Sequence, residues 1–214
     1  MAKVLFVTPP HARFDEDLRP KSTFSTFRVP YMGVLSLASY LRINGHECKI
    51  IDGERIAVRC GNVRSAVYFE ILEQARNFKP DFVYITILTA EFYECKNIIE
   101  RLCKLLPSTK IVAGGPHPSG EPHYTLKQIS ELEGIGIGPG EEICLDLTNG
   151  QRIEETEGCA YFQGEDSVFV SRRDIRANLD SYSFPAWDLI DGEYYSELNF
   201  ATVSGILCRS LPLL

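Results

Sequence analysis

Lys110-Ile111-Val112-Ala113-Gly114-Gly115-Pro116-His117-Pro118 is the stretch that decides the fold. A short β-branched, apolar run stops at two glycines and a proline–histidine–proline turn. This is the pattern of a buried parallel strand whose carboxyl end opens onto a ligand. Glycine permits positive φ and lets a flat ligand approach the backbone closely. In open α/β sheets, ligands sit beyond the carboxyl ends of strands, near the point where strand order reverses.

Outward from this strand, strand and helix patterns alternate. Residues 3–8 read as a first strand. Residues 30–44 read as a helix, with Pro30 near its start and Gly45 past its end. Its apolar face carries Val34, Leu37, Ala38 and Leu41. A second strand over 46–51 closes at Asp52-Gly53, and a helix over 63–78 follows. Residues 81–88, rich in β-branched and aromatic side chains, give the third strand. A helix over 90–106, the fourth strand at 109–113, a short helix at 124–132, a small fifth strand at 134–138 and a helix at 141–148 complete the series.

Such alternation implies right-handed crossovers and a parallel sheet. The expected fold is flavodoxin-like (Rossmann-like), five parallel strands in the order 2-1-3-4-5 with helices on both faces. After residue 150 the pattern changes. Residues 158–163 and 167–171 read as a hairpin about Gly164-Glu165-Asp166. Residues 178–189, with Pro185 and Trp187, read as an extended linker, and 198–214 are apolar. The expected organisation is therefore a ligand-binding α/β domain over 1–150, then a hairpin and linker over 151–214.

The chain has 214 residues, 44% hydrophobic and 24% charged, enough for one domain with a good core and an extension. The net charge of -7 lacks the basic balance of a nucleic-acid groove. No apolar stretch approaches the ~18 residues of a membrane span. Met1-Ala2-Lys3 enters directly into Val4-Leu5-Phe6-Val7, too short an apolar run for a signal peptide. A cytoplasmic protein with no nucleic-acid or membrane partner is expected. Seven cysteines contain no Cys-x-x-Cys pair and are expected to be reduced. Cys95 and Cys103 are placed to share a helix face. A metal site would need more ligands, and none is expected.

Several segments converge on the predicted ligand edge. The first strand ends Thr8-Pro9-Pro10-His11, where two prolines end ladder pairing and stiffen the turn. This is either a stiff loop or a rigid wall beneath a planar ligand. The long segment 11–29 then becomes a candidate lid. Thr86, Leu88 and Thr89 end the third strand, where the hydroxyls can cap the next helix or bond a ligand's polar edge. Gly114, Gly115, Pro116 and His117 end the fourth.

Gly134-Ile135-Gly136-Ile137-Gly138-Pro139-Gly140 resembles a dinucleotide loop but stands in the wrong place, since that fingerprint follows the first strand. Glu141 and Glu142 also occupy the next helix start, where they complement the helix dipole and repel a diphosphate. A neutral or amide-rich ligand fits better. The site is expected to gather Thr8, Pro9, Pro10, His11, Thr86, Leu88, Thr89, Gly114, Gly115, Pro116, His117, Gly138, Gly140 and Glu141. None of them is assigned a catalytic or metal-ligating role.

Taken in order, these segments resemble the amino-terminal cobalamin-binding domain of cobalamin-dependent radical S-adenosylmethionine proteins. The matching pieces are residues 4–10, Pro30-Tyr31-Met32-Gly33 through Leu41, Gly45-His46-Glu47, Pro80-Asp81, residues 86–89, Gly114-Gly115-Pro116-His117 and Gly138-Pro139-Gly140-Glu141-Glu142. The hairpin and Leu179-Asp180 to Pro185-Ala186-Trp187-Asp188-Leu189 resemble that family's linker into its catalytic barrel. The resemblance implies cobalamin as the cofactor.

The better-known cobalamin fingerprint is Asp-x-His-x-x-Gly, Ser-x-Leu and Gly-Gly. Thr86-Ile87-Leu88 resembles its second element and Gly114-Gly115 its third. The first is missing, so His11 lacks its usual orienting partner. No histidine is expected on cobalt from below, and the segment after the first strand is expected to shield that face.

In the resembling family a further domain supplies an iron–sulfur cluster and S-adenosylmethionine through Cys-x-x-x-Cys-x-x-Cys. That motif is absent from these 214 residues. The chain is therefore expected to be a truncated module, non-catalytic alone, that serves a radical S-adenosylmethionine domain or subunit. A rival reading is a flavodoxin-like interaction or signalling domain without cofactor. Against it, Thr8-Pro9-Pro10 stands where a phospho-receiver would need acidic residues and a flavin site a Ser/Thr/Gly loop. A standalone cysteine or carboxylate enzyme ranks last, since no such pairing is readable from spacing.

Overall fold

The structure, a computed structural model, describes residues 1–10, 30–164, 166–169 and 183–196. Its centre is a sheet of β1 (Lys3–Thr8), β2 (Glu47–Asp52), β3 (Phe82–Thr86), β4 (Lys110–Gly114), β5 (Gly134–Gly136), β6 (Cys159–Gln163) and β7 (Asp166–Phe169). The order is β2-β1-β3-β4-β5-β6-β7. The first five strands are parallel and in the expected order. The expected hairpin forms, and it continues the same sheet antiparallel to β5. Gly134 makes this possible, because a Cβ there would lie 2.7 Å from the Ala160 carbonyl oxygen.

Strand residues alternate between two buried layers, as a doubly covered sheet requires. Leu5, Val7, Val83, Ile85, Ile111, Ala113 and Ile135 share one layer. Its cover comes from α2 (Gly53–Arg59), α3 (Arg64–Phe78), α4 (Phe92–Leu105) and α6 (Pro122–Gln128). Val4, Phe6, Tyr84 and Val112 face the other way, toward α1 (Met32–Ile43) and α7 (Glu141–Thr148). Burying each such side chain contributes roughly 1.5–3 kcal/mol, far more than any exposed ion pair at about 0.2–1 kcal/mol. The two layers therefore carry the fold.

Two short helices were not expected from the sequence. Asp52-Gly53 is the start of α2 rather than a turn: the Asp52 carboxylate accepts from the Arg55 backbone N–H at 3.1 Å. Gly53 is required there, because a Cβ would lie 2.4 Å from the Thr8 carbonyl oxygen. α5 (Pro116–Gly120) replaces the expected proline–histidine–proline turn, with Pro116 at its first position. Helix α1 begins two residues later than expected, and α6 ends at Gln128.

Residues 183–196 form a strap along α1 to the end of β2. Part of the expected linker is regular, with a 3-10 turn at Trp187–Leu189 and α8 (Gly192–Ser196). The Ala186 N–H donates to the Leu35 carbonyl at 3.1 Å, and Ser39 and Ser183 hydroxyls lie 2.7 Å apart. Arg42 grips both oxygens of Asp188 at 2.9 and 2.8 Å. Buried Tyr195 donates to the Asp52 carboxylate. Arg55 pairs with Asp191 at 2.7 Å and lies over the Tyr194 ring.

The Asp191 carboxylate accepts from the Tyr194 N–H and from Arg55, which together hold its pKa below the ordinary value. A depressed carboxylate contributes stability above its unfolded pKa and loses it as pH falls through the folded one. The strap is therefore expected to be docked at neutral pH and to loosen on acidification below about pH 4. Trp187, the single tryptophan, reports this. Its emission should change before far-UV ellipticity is lost, and Asp191→Asn should show the changed emission already at neutral pH. Coincident transitions in the native protein would contradict the expectation.

Candidate functional site

A cleft of about 540 Å³ opens at the carboxyl edge of the sheet, between α1 and α7. That is the scale of a small-molecule site. Its floor is a row in register across three strands, Phe6 beside Tyr84 beside Val112. The Phe6 and Tyr84 rings stack at 5.6 Å and 27°. Ile143 and Cys144 of α7 and Leu37 of α1 close the sides. The mouth is different. It is made of Thr86, Gly114, Gly115, Gly136, Gly138 and Gly140 at three strand ends, with Gly33 and Glu141 at two helix starts.

The turn after β4 is held by its glycines. The Ile87 N–H donates to the Gly114 carbonyl at 2.9 Å, and the His117 N–H donates to the Ile87 carbonyl at 3.1 Å. Gly115 sits between at φ +100°, where a Cβ would lie 2.7 Å from Thr86 Oγ1 and 3.1 Å from Ile87 backbone atoms. Gly114 and Gly33 play another part. A Cβ on Gly33 would meet nothing within 4 Å, and one on Gly114 only the Gly136 carbonyl oxygen at 3.9 Å. Their missing side chains leave free space at the mouth.

The polar groups at the cleft are ordered by their neighbours. The Ser36 hydroxyl donates to Glu141 Oε1 at 2.9 Å, joining α1 to α7. Tyr31 donates to buried Glu91 at 2.9 Å, and burial together with that carboxylate pushes its pKa far above the usual phenol range. Tyr84 donates to the Cys144 carbonyl at 3.0 Å and lies 2.9 Å from Thr148 Oγ1. Burial also raises the Cys144 thiol well above its ordinary pKa, so it stays protonated.

Of the residues expected at the site, Thr86, Leu88, Gly114, Gly115, Pro116, Gly138, Gly140 and Glu141 line this cleft. Thr8 does not. It is buried against Pro30, Asp52 and Tyr195 on the β2 side, and buried Pro9 and Pro10 pack beside Gly53. Thr89 begins a 3-10 turn, and its hydroxyl lies 3.1 Å from His117 Nδ1. His117 is buried between Phe92 and Tyr124, with ring centroids 4.7 and 6.2 Å away. His11, the segment 11–29 and residues 197–214 lie outside the described residues.

Cys95 is buried on α4 and Cys103 half-buried, neither in a disulfide. Among the described residues no group of three His, Cys, Asp or Glu side chains is placed to hold a metal ion. Also among them, no helix is long and apolar enough to cross a membrane.

Sequence reasoning missed Phe6, Tyr31, Leu37, Tyr84, Val112, Ile143 and Cys144. One signal was available: Tyr84 is a phenol inside a buried strand, and a buried phenol needs a partner.

The two glycine roles predict different costs. Gly115→Ala combines backbone strain with overpacking and should destabilise by about 3 kcal/mol or more. Gly138, at φ +88° with open space around it, should lose only about 1–2 kcal/mol as Ala. Urea unfolding of both variants checks the ranking, and equal losses would contradict it.

The family model described as B12 binding domain matches residues 25–148, more than half of the chain. An uncharacterized methyltransferase of Pyrococcus horikoshii is 25% identical over 197 residues, 90% of this chain and 40% of that protein. Among solved structures, the cobalamin-dependent S-adenosylmethionine radical enzyme OxsB superposes with a TM-score of 0.64 at 16% identity. It covers 88% of this chain, which spans 24% of it. The radical S-adenosylmethionine methyltransferase TsrM of Kitasatospora setae gives a TM-score of 0.60 at 18% identity, covering 80% of this chain and 30% of its own. At those identities the structures testify to the fold. The chain spans less than half the length of each of these three proteins.

Proposed function

The chain belongs to the B12 binding domain family, and from that premise we propose that the cleft between α1 and α7 holds cobalamin. The observation that carries this reading is the division of the cleft into a backbone-lined mouth and an apolar floor. Corrin is broad and flat, with neutral amides around its rim. Backbone groups of the turns after β3, β4 and β5 suit those amides. Gly33 and Gly114 leave room that any larger residue would fill. Glu141, oriented by Ser36, accepts from an amide N–H and repels an anion.

When bound, cobalamin supplies a cobalt that carries a methyl group or assists radical chemistry. What the chain contributes is position and exclusion of water. None of the three described histidines, His46, His117 and His123, lines the cleft. His117 has Nδ1 on Thr89 and its ring among aromatics. His46 accepts from the Ala2 N–H at 3.3 Å, at the opposite end of β1. We therefore favour a lower face without a histidine ligand.

The sequence carries no Cys-x-x-x-Cys-x-x-Cys. In this reading the chain does not cleave S-adenosylmethionine itself, and a radical S-adenosylmethionine domain or subunit supplies the iron–sulfur cluster. Residues 1–150 hold the cofactor, while 151–214 contribute the hairpin and the strap toward that partner. The similarity to the Pyrococcus horikoshii methyltransferase supports methyl transfer or related radical chemistry as the reaction served.

Titration of the full chain with hydroxocobalamin tests the reading. Binding should shift the corrin absorption bands, and cobalamin should remain after desalting. Gly33→Trp should fill the mouth and weaken binding by roughly tenfold or more, with the thermal midpoint unchanged. Failure of the native chain to retain cobalamin would overturn the proposal.

A further inference from the structure

We infer that the strap positions the start of α1 for the cofactor, so that strap docking and cofactor binding reinforce one another across that helix. The inference rests on the cobalamin reading above. Its basis is the weakness of α1 at its own beginning. The N-cap residue, Tyr31, makes no side-chain capping bond, and the first turn carries no acidic residue. A capping hydroxyl or carboxylate and a first-turn acid are the usual local supports of a helix start. Gly33, in that same turn, is a poor helix former. The first turn of α1 is therefore held by what packs on it.

Support comes from two sides. Tyr31, Gly33, Val34 and Leu37 line the cleft. On the far side the Ala186 N–H reaches the Leu35 carbonyl at 3.1 Å, and Ser183 meets Ser39 at 2.7 Å. Tyr31 and Val34 serve both sides, because they also line a small cavity closed by Ile190 and Tyr195 of the strap. Tyr195 is anchored in turn on Asp52. One turn of helix is thus a wall common to the cofactor's seat and the strap's seat. A ligand that packs on Tyr31, Val34 and Leu37 favours the helix arrangement that the strap also favours. By linkage each then strengthens the other by the same factor.

Strap docking is balanced closely enough to respond. Burial of Ala186 and Tyr195, each 4% exposed, favours it. The Arg42–Asp188 pair is exposed on both sides and adds little. Against docking, Thr8 Oγ1 and Trp187 Nε1 are buried without a hydrogen-bond partner among the described residues. Such an element opens locally while the sheet stays folded. In the reading above it also leads toward the partner domain, so occupancy of the cleft becomes legible there.

Hydrogen exchange of the full chain, with and without hydroxocobalamin, tests this without any substitution. Saturating cofactor should slow exchange across residues 185–191 roughly tenfold. Ala186→Glu forces a carboxylate into a buried position that does not line the cleft. It should release the strap, which Trp187 emission of the cofactor-free variant reports. Its affinity for hydroxocobalamin should fall by that same factor, with far-UV ellipticity retained. Asp191→Asn, which loosens the strap more gently, should show a smaller fall in the same direction.

Unchanged exchange across 185–191 in the cofactor-bound chain would overturn the inference, since a merely structural strap does not sense the cleft. So would full affinity in a folded Ala186→Glu chain whose strap is released. In both cases the cobalamin reading would stand. Failure of the native chain to retain hydroxocobalamin would overturn that reading and the inference with it.

Discussion

The structure depends on one constraint: β1, β3 and β4 are buried on both faces, but α1 and α7 cover one of those faces incompletely. Phe6, Tyr84 and Val112 stand side by side on that face. A continuous helix layer would make them ordinary core. Instead α1 and α7 meet at the Ser36–Glu141 hydrogen bond and leave a cleft between themselves and the sheet, and the row becomes its floor. Gly140 sets how near the helices come there, since a Cβ on it would lie 3.1 Å from Leu37 and 3.9 Å from the Cys144 sulfur. Packing and binding thus share the same side chains, and changes to the floor act on both.

The fold was legible in the sequence because it is written in periodicity. Apolar runs of five or six residues alternating with amphipathic helices specify the parallel order, and it is the order observed. Features set by a single contact were harder to read. Asp52-Gly53 has the composition of a turn and also of a helix start. The choice falls to the helix because Gly53 packs on the Thr8–Pro10 backbone, more than forty residues earlier. The continuation of the sheet into β6 likewise depends on Gly134 admitting Ala160, which no local pattern announces.

The candidate site was half legible for the same reason. Residues at strand ends are marked by glycine and proline, and Thr86, Gly114, Gly115, Pro116, Gly138, Gly140 and Glu141 do meet at one cleft. The floor carries no such mark. Val112 and Ala113 read alike in the sequence, yet one faces the cleft layer and the other the opposite core. Which face the helices leave open follows from their packing. Thr8-Pro9-Pro10 shows the converse: a conspicuous strand end whose place is fixed by α2 and the strap, on the β2 side.

The start of α7 shows why this edge is unlike the phosphate sites that the same architecture often builds. Helix starts present unpaired N–H groups and the positive end of the dipole, which attract anions. Here Glu141 and Glu142 stand in the first turn, and Glu141 is fixed across the mouth by Ser36. The helix supplies its own anion. A second negative charge at the mouth would meet repulsion at short range, whereas an amide would find an oriented acceptor. Charge at the mouth and apolar character on the floor thus exclude the same ligands, the highly charged ones, by independent means. A large neutral molecule with polar edges and one apolar end satisfies both.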